Sequence, residues 1–484
     1  MKHLIRLSAE FNIKSPKVKA KFLRLLIRNI KGVLDKAGVS HRVEESWSRL
    51  YLHTQVDPSA YLSNVFGIGS FSKVEAVCGP DLEEMEPLCF RLYRDLVKDR
   101  SFCVRVKRYG VKGFTSTEAE CRLGHRLGAV ASKVDLSDPD VQVEVDVNAS
   151  GAYFFSSRQL GPGGLPLGAQ NRALCLISGG FDSAVAAWRM MRRGVPLDFL
   201  FCNLAGSAYE AAVITLVKAL CERWHVGASS FMHVIDFNPA VKAIDQRIDP
   251  QFAQVVLKAL FYQQASLLQK EIKASAIITG EAVGQVASQT LTNLAAINRF
   301  TDSLVVRPLV GFDKEEILKC ARSIGTYVLS EHTKEYCALN NTRPVTRTSA
   351  RSIELELARL PQKLSEELWA TKQTKEVRKL ELADYRSEEI LSEEIPEGAV
   401  LVDTRDKASF DRWHPPGALY LPVQTLMRSF KSFHPEQGLV LLCDYGLQTA
   451  VIAEKMRAAG LNAVSYQGGV EKLKRKLNKD GKNS

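Results

Sequence analysis

"LCLISGGFDSAVAAW", Leu174 to Trp188, decides the reading of this chain. An apolar run ends in Ser178-Gly179-Gly180-Phe181-Asp182-Ser183, and a helical pattern follows. A glycine turn between a strand and a helix aims backbone N–H groups and the positive end of the helix dipole at one point, where an anion binds. The turn lacks the Gly-Lys-Ser/Thr of a Walker loop, so it points away from transfer of a terminal phosphate. From about residue 170 the pattern alternates strands and helices: "ALCLIS", "LDFLFCNL", "FMHVIDF", "ASAIITG" and "SLVVRPL". This predicts a doubly wound parallel sheet with its ligand at the carboxyl ends of the strands.

Two later stretches fall at such strand ends. "TGEAVGQVASQTLTNL", Thr279 to Leu294, offers Gly280 for a close backbone approach and Gln289 as a polar group beyond it. "RPLVGFDKEEI" sets Lys314 at a predicted helix start, where the dipole disfavours a cation unless an anion answers it.

The chain has 484 residues, 45% of them hydrophobic, enough for roughly three or four domains. Its net charge of +11 favours a polyanionic partner, nucleic acid ahead of membrane. No run of about 18 apolar residues appears, so no membrane span is expected. The start, "MKHLIRLSAEFNIKS", has no compact apolar segment with a small-residue cleavage site, which argues against a signal peptide. Ten cysteines without a CxxC pair argue against a zinc site or a disulfide framework, and a cytoplasmic location fits.

Before the glycine turn lie two α+β patterns. The first runs from an alternating strand through the basic amphipathic "KVKAKFLRLLIRNIKGVL". In the second, "STEAECRLGHRLGAVASK" opens with an apparent capping box in Ser116–Glu120, and "DVQVEVDV" and "AYFFSSRQL" form a hairpin around Asn148–Gly151. Arg105, Lys107, Arg108, Lys112, Arg122 and Arg126 cluster in this second unit as a basic stripe suited to phosphate contacts. "GPGGLPLG", Gly161 to Gly168, reads as a linker. Residues 346–397 are charged and helix-prone, a linker helix or arm. A second α/β pattern follows, in which Cys443 closes the buried strand "LVLL" and opens the loop Cys443–Thr449, a position that lowers a thiol pKa.

The SGGFDS turn resembles the PP-loop of ATP pyrophosphatases. With "VRVKRYGVKGF", "FFSSRQLGPGGLPLG", "EYC" at Glu335 to Cys337, "VDTR" at Val402 to Arg405 and "HPPGALYLP" at His414 to Pro422, the whole chain resembles the tRNA 4-thiouridine synthetase family in its long form. That resemblance implies an α/β multidomain protein: a ferredoxin-like domain at 1–61, an RNA-binding THUMP domain at 62–165, a PP-loop adenylation domain at 166–345, the charged linker at 346–397 and a rhodanese-like domain at 398–484.

It also implies ATP with Mg2+, no metal held by the protein alone, and 4-thiouridine formation at position 8 of tRNA. Leu176 and Ile177 would meet adenine through their main chain, and Ser178, Gly179, Gly180, Asp182 and Ser183 would hold the phosphates. Lys258, Gly280 and Gln289 would complete the pocket. Asp182 and Lys314 would serve adenylation of the uridine, Cys443 would carry a persulfide, and Cys337 would close a Cys337–Cys443 disulfide. Implied partners are tRNA, a cysteine desulfurase as sulfur donor, an external thiol reductant and a ThiS-type sulfur-carrier protein for thiamine synthesis; a homodimer is left open. Many rhodanese loops carry Arg six residues after the cysteine, where this chain has Thr449, and Asp444 adds a negative charge beside the sulfur. Three other readings stay open at this level: a PP-loop ligase that aminates a nucleobase, a sulfur carrier for thiamine synthesis without tRNA chemistry, and a non-enzymatic RNA-binding protein.

Overall fold

A computed structural model describes residues 1–46, 49–332, 344–381, 390–444 and 446–480. The chain divides into two compact units, residues 1–169 with 192–194, and the remainder.

The first unit contains two sheets. In one, the strands Gln159–Leu160, Ile68–Lys73, Lys2–Leu7, Arg49–Thr54 and His41–Ser46 lie side by side in that order, all antiparallel. The helix Pro16–Lys36 buries Phe22, Leu26, Ile30 and Leu34 against Ile5, Leu50 and Leu52. These helix positions recur every four residues, so one stripe meets the sheet and the basic residues between them stay outside. The strand Ile68–Lys73 belongs to this first sheet, so the boundary expected at residue 61 lies beyond Lys73. Gly161–Gly168 is not a free linker either: Leu165 and Leu167 are buried, and the Gly67 N–H donates to the Gly163 carbonyl.

The other sheet has the order Ala76–Cys78, Gly151–Phe155, Val141–Asn148, Ser101–Tyr109 and Lys133–Val134. Helices Leu82–Val97 and Ser116–Gly128 cover the Val104 and Val106 face. The capping box of the latter helix forms earlier than the expected Ser116–Glu120 stretch, between Thr115 and Glu118, because Thr115 has the extended backbone a cap requires. The hairpin closes as expected, with Asn148 opposite Gly151.

In the second unit the larger sheet runs Val305–Val306, Ile277–Ile278, Ala173–Leu176, Leu197–Asn203, Phe231–Asp236, Gln373–Glu376. The first five strands are parallel and the last is antiparallel. That last strand corrects the linker expected at 346–397. Its helices Ala350–Leu357 and Leu364–Ala370 insert Ile353, Leu364 and Leu368 into the main core, and Gln373–Glu376 then pairs with Phe231–Val234. The apolar residues recur at helical spacing beneath the charges, so the segment has a buried face as well as a solvated one. The last sheet is all parallel, in the order Leu391–Ser392, Ala463–Tyr466, Leu439–Leu442, Val400–Asp403, Leu419–Tyr420, and so starts earlier than residue 398. Among the described residues, no helix is long and apolar enough to cross a membrane.

Leu368 is fully buried. Leu368→Ala should cost about 2–5 kcal/mol in the urea unfolding transition of the second unit, whereas a substitution in a solvated linker changes stability by about 0.5 kcal/mol or less.

Candidate active site

The strand Ala173–Leu176 lies in the middle of its sheet and releases the chain into the turn at Ser178, and the helix Phe181–Arg192 starts within three residues. The turn is braced by its own hydroxyls. Ser178 N–H donates to Ser183 Oγ (3.1 Å), Gly180 N–H to Ser178 Oγ (3.3 Å) and Gly179 N–H to the Tyr209 hydroxyl (3.4 Å). The last two are long for such bonds, so these donors are only weakly engaged.

Gly280 makes the close approach the sequence suggested, but to the turn itself. A Cβ there would stand 2.6 Å from the Asp182 carbonyl carbon and from the Ser183 nitrogen. Backbone therefore presses on backbone, and the end of the strand Ile277–Ile278 holds the turn in place.

Asp182 is almost buried. Its Oδ1 meets Lys314 Nζ at 3.1 Å, and its Oδ2 accepts from Gln285 Nε2 at 2.9 Å. Lys314 is the first residue of the helix Lys314–Ile324, which Asp313 and Glu316 cap reciprocally. The anion expected opposite this lysine is thus the Asp182 carboxylate, from 132 residues away.

Beside the turn opens a cavity of about 340 Å³, within the usual range for small-molecule sites. Leu176, Ile177, Ser178, Asp182, Ser183, Lys258, Gly280 and Gln289 all line it, and Gly179 and Gly180 lie within the same turn. Leu200, Phe201, Leu204, Leu257 and Phe261 make the rest of its wall largely apolar, as a flat heteroaromatic ring requires. The Ile177 N–H already donates to the Leu200 carbonyl at 2.9 Å, so this amide is committed to the sheet.

Sequence reasoning missed the ionic centre of this wall. Glu281 is buried and takes Lys258 Nζ on one oxygen (3.2 Å). Its other oxygen accepts from Arg307 Nε (2.9 Å), the Tyr262 hydroxyl (2.6 Å) and the Thr279 hydroxyl (3.1 Å). Burial pushes the carboxyl pKa up, but Lys258, the Tyr262 hydroxyl and Arg307 outweigh it and hold it down at about 2. Glu281 and Arg307 both fall inside the stretches already singled out, "TGEAVG" and "RPLVGF". The signal was an acid following Gly280 and a base ending a strand.

Cys443 follows the strand Leu439–Leu442 and is 3% exposed. Its Sγ lies 3.3 Å from the Thr449 hydroxyl, which in turn pairs with Ser465 Oγ at 2.7 Å; Ser465 donates to the Gly446 carbonyl. Thr449, in place of the arginine many such loops carry, closes the loop through hydroxyls. The charge of Asp444 is answered from elsewhere: Arg405 Nη1 lies 3.8 Å away, and Arg405 is itself held by Asp403 at 2.7 Å. Cys337 lies outside the described residues.

The six basic residues of the THUMP-like sheet do not form one stripe. Arg105 and Lys107 share a sheet face opposite the buried Val104 and Val106, whereas Arg122 and Arg126 sit on a covering helix. Arg122 pairs with Glu83 (2.8 Å) and Glu86 (2.6 Å), and Arg126 with Glu86 (3.2 Å), so their charge is largely neutralised. Arg108 donates to the Val111 carbonyl and stacks near Phe114. Lys107, Lys112 and Arg126 are exposed, Arg126 already engaged by Glu86, and Arg105, half-buried, donates to the Leu136 carbonyl.

Comparisons with known proteins agree with this geometry. Family models match residues 2–72 (ThiI ferredoxin-like domain), 80–156 (THUMP domain), 168–360 (Thiamine biosynthesis protein, ThiI) and 387–476 (Rhodanese-like domain). The tRNA sulfurtransferase of Desulfurococcus amylolyticus is 36% identical, over 99% of this chain and 99% of its own length. That of Photorhabdus laumondii is 32% identical over 96% and 99%. A solved structure described as a 4-thiouridine synthetase–RNA complex with bound ATP has a TM-score of 0.67 and 28% identity, covering 78% of this chain and 99% of that chain.

The Glu281 network generates a test. Its carboxyl is held below its ordinary value, so its stabilising effect is complete above about pH 4.5 and is lost as pH falls toward 2. The wild type should lose about 3 kcal/mol across that window. Glu281→Gln should be less stable at pH 7 by about 3–5 kcal/mol, because Lys258 and Arg307 lose their counter-charge, and should lack that acid-limb contribution. Urea unfolding at a series of pH values checks both.

Proposed function

Because the chain belongs to the tRNA sulfurtransferase family, we propose that it makes 4-thiouridine at position 8 of tRNA by adenylating the uridine oxygen and then replacing it with persulfide sulfur. The observation that carries this reading is the meeting of the Ser178–Ser183 turn, Asp182, Lys314 and an apolar cavity at the carboxyl end of one sheet.

The C4 oxygen of uracil is a poor leaving group. ATP, seated with its ring against the apolar wall and its phosphates at the turn, offers its α-phosphorus to that oxygen. Pyrophosphate leaves and the uridine carries AMP. Weakly engaged N–H donors of the turn and the Lys314 ammonium stand where negative charge grows on the departing pyrophosphate, and fixed dipoles of this kind lower a barrier without reorganising. Lys258, paired with Glu281, adds charge on the cavity wall without being a free cation. Asp182, at the turn and on the cavity wall, is the carboxylate that would hold Mg2+ together with the nucleotide phosphates, where the ion would neutralise the pyrophosphate.

Sulfur comes from the last domain. A cysteine desulfurase loads Cys443 as Cys443–S–SH, and the terminal sulfur attacks C4 while AMP departs. The Cys337 thiol takes the inner sulfur of Cys443, closing a Cys337–Cys443 disulfide as the terminal sulfur stays on the uridine. A thiol reductant reopens it. Arg405, beside Asp444, supports this role by offsetting the negative charge next to the sulfur. The same persulfide would serve a second acceptor, a ThiS-type carrier protein for thiamine synthesis. The exposed Lys107 and Lys112 are the candidates for tRNA phosphate contacts.

The two half-reactions separate by mutation. Asp182→Ala should lose tRNA-dependent pyrophosphate release by about 100-fold or more yet load persulfide on Cys443 normally. Cys443→Ser should release pyrophosphate normally and form no thiouridine. Pyrophosphate assay and thionucleoside analysis of the product tRNA read the two arms. Normal thiouridine formation by either variant would overturn the reading.

A further inference from the structure

We infer that Glu454 docks the rhodanese-like domain onto the rim of the nucleotide cavity and so positions the Cys443 loop for delivery. The inference rests on the proposed sulfur-carrier role of Cys443. Glu454 lies on the helix Leu447–Ala458, which begins at the Cys443 loop, but its carboxylate reaches into the other domain. There it caps the helix Ser207–Trp224. Oε1 accepts from the Ser207 N–H (3.0 Å) and the Ser207 hydroxyl (2.8 Å), and Oε2 from the Ala208 N–H (3.1 Å). A carboxylate at a helix N-terminus answers both the unpaired donors and the dipole.

The fit is close. Gly206, at φ +90°, precedes the helix, and a Cβ there would stand 2.8 Å from the Glu454 carboxyl carbon and both oxygens. Ala208 packs against the core of the rhodanese-like sheet. Helix Ser207–Trp224 thus takes its N-terminal cap from another domain, and no side chain of its own N-cap residue, Gly206, supplies one.

The contact is joined to the cavity. Leu200, Phe201 and Cys202 line the cavity on the strand that ends at Asn203, and Leu204 and Tyr209 line it on either side of the capped turn. Asn203 Oδ1 accepts from Ala205 and Gly206 N–H, and its Nδ2 donates to the Gly206 carbonyl and to Glu210. Asn203 therefore fixes the loop that presents the amides to Glu454. Tyr209 extends the connection to Gly179 of the phosphate turn. Seven residues separate Glu454 from Leu447, roughly 10 Å of helix, so the anchor lies near the carrier loop. Docking raises the local concentration of that loop at the cavity rim above what a tether alone gives.

Glu454→Ala removes the cap without disturbing its own helix, since alanine is the better helix former. Amide hydrogen exchange at Ser207 and Ala208 should quicken at least about tenfold in the full-length variant, with Glu454→Gln in between. Single-turnover sulfur transfer from preloaded Cys443 to tRNA should slow by about tenfold, while persulfide loading and tRNA-dependent pyrophosphate release stay at wild-type rates. Unchanged exchange at Ser207 and Ala208 would overturn the docking. Faster exchange with unchanged transfer would overturn the positioning role. If the wild type itself loads no persulfide on Cys443, the carrier reading fails and takes the delivery role with it, and exchange still decides whether the domains dock.

Discussion

The active site hangs on one backbone contact. Gly280 packs so tightly against Asp182 and Ser183 that any side chain would collide with main-chain atoms at 2.6 Å. Such a collision cannot be relieved by a rotamer change, because the obstacle is the phosphate turn itself. Through this contact the end of one strand sets the position of the turn that ends its neighbour. The residues on either side inherit that position: Thr279 and Glu281 face the cavity wall, and Asp182 faces Lys314.

Charge is organised around the same point. Buried Glu281 gathers the half-buried Lys258 and Arg307 into a cluster of two cations and one anion, so the wall retains a positive excess. Asp182 and Lys314 form a second pair on the other side of the turn. On the proposed reading, a polyphosphate entering between them would meet preset donors and cations rather than flexible surface lysines, which would limit the reorganisation needed at reaction. The rhodanese-like domain follows a different logic. Cys443 is buried among hydroxyls, with Thr449 and Ser465 closing the loop where an arginine often stands, and Arg405 offsets Asp444 from the side.

Much of this was legible in the chain because it rests on backbone demands. A glycine turn after a strand, a glycine at the next strand end and a lysine at a helix start each break a local preference, and each proved to lie at the cavity or beside the turn. Glu281 and Arg307 break no local rule; an acid after Gly280 and a base ending a strand acquire their meaning only when two strand ends converge, so their pairing was not legible. Residues 350–376 were misread because charged residues are as numerous there as apolar ones and are interleaved with them. The buried stripe of Ile353, Leu364 and Leu368 was present at helical spacing, and Gln373–Glu376 is polar because it is an edge strand. The basic cluster shows the opposite error. Neighbours in sequence, Arg105 and Arg122 stand on different layers, and Glu83 and Glu86, forty residues earlier at most, neutralise the helix pair.

On the proposed reading, the cavity activates the uridine oxygen itself. Oxygen-18 placed at O4 of the target uridine in tRNA tests it directly. During one turnover with ATP and persulfide-loaded protein, the label should leave on AMP, with none in pyrophosphate, as thiouridine forms. AMP free of label, with the label released to water or found in pyrophosphate, would contradict adenylation at that oxygen.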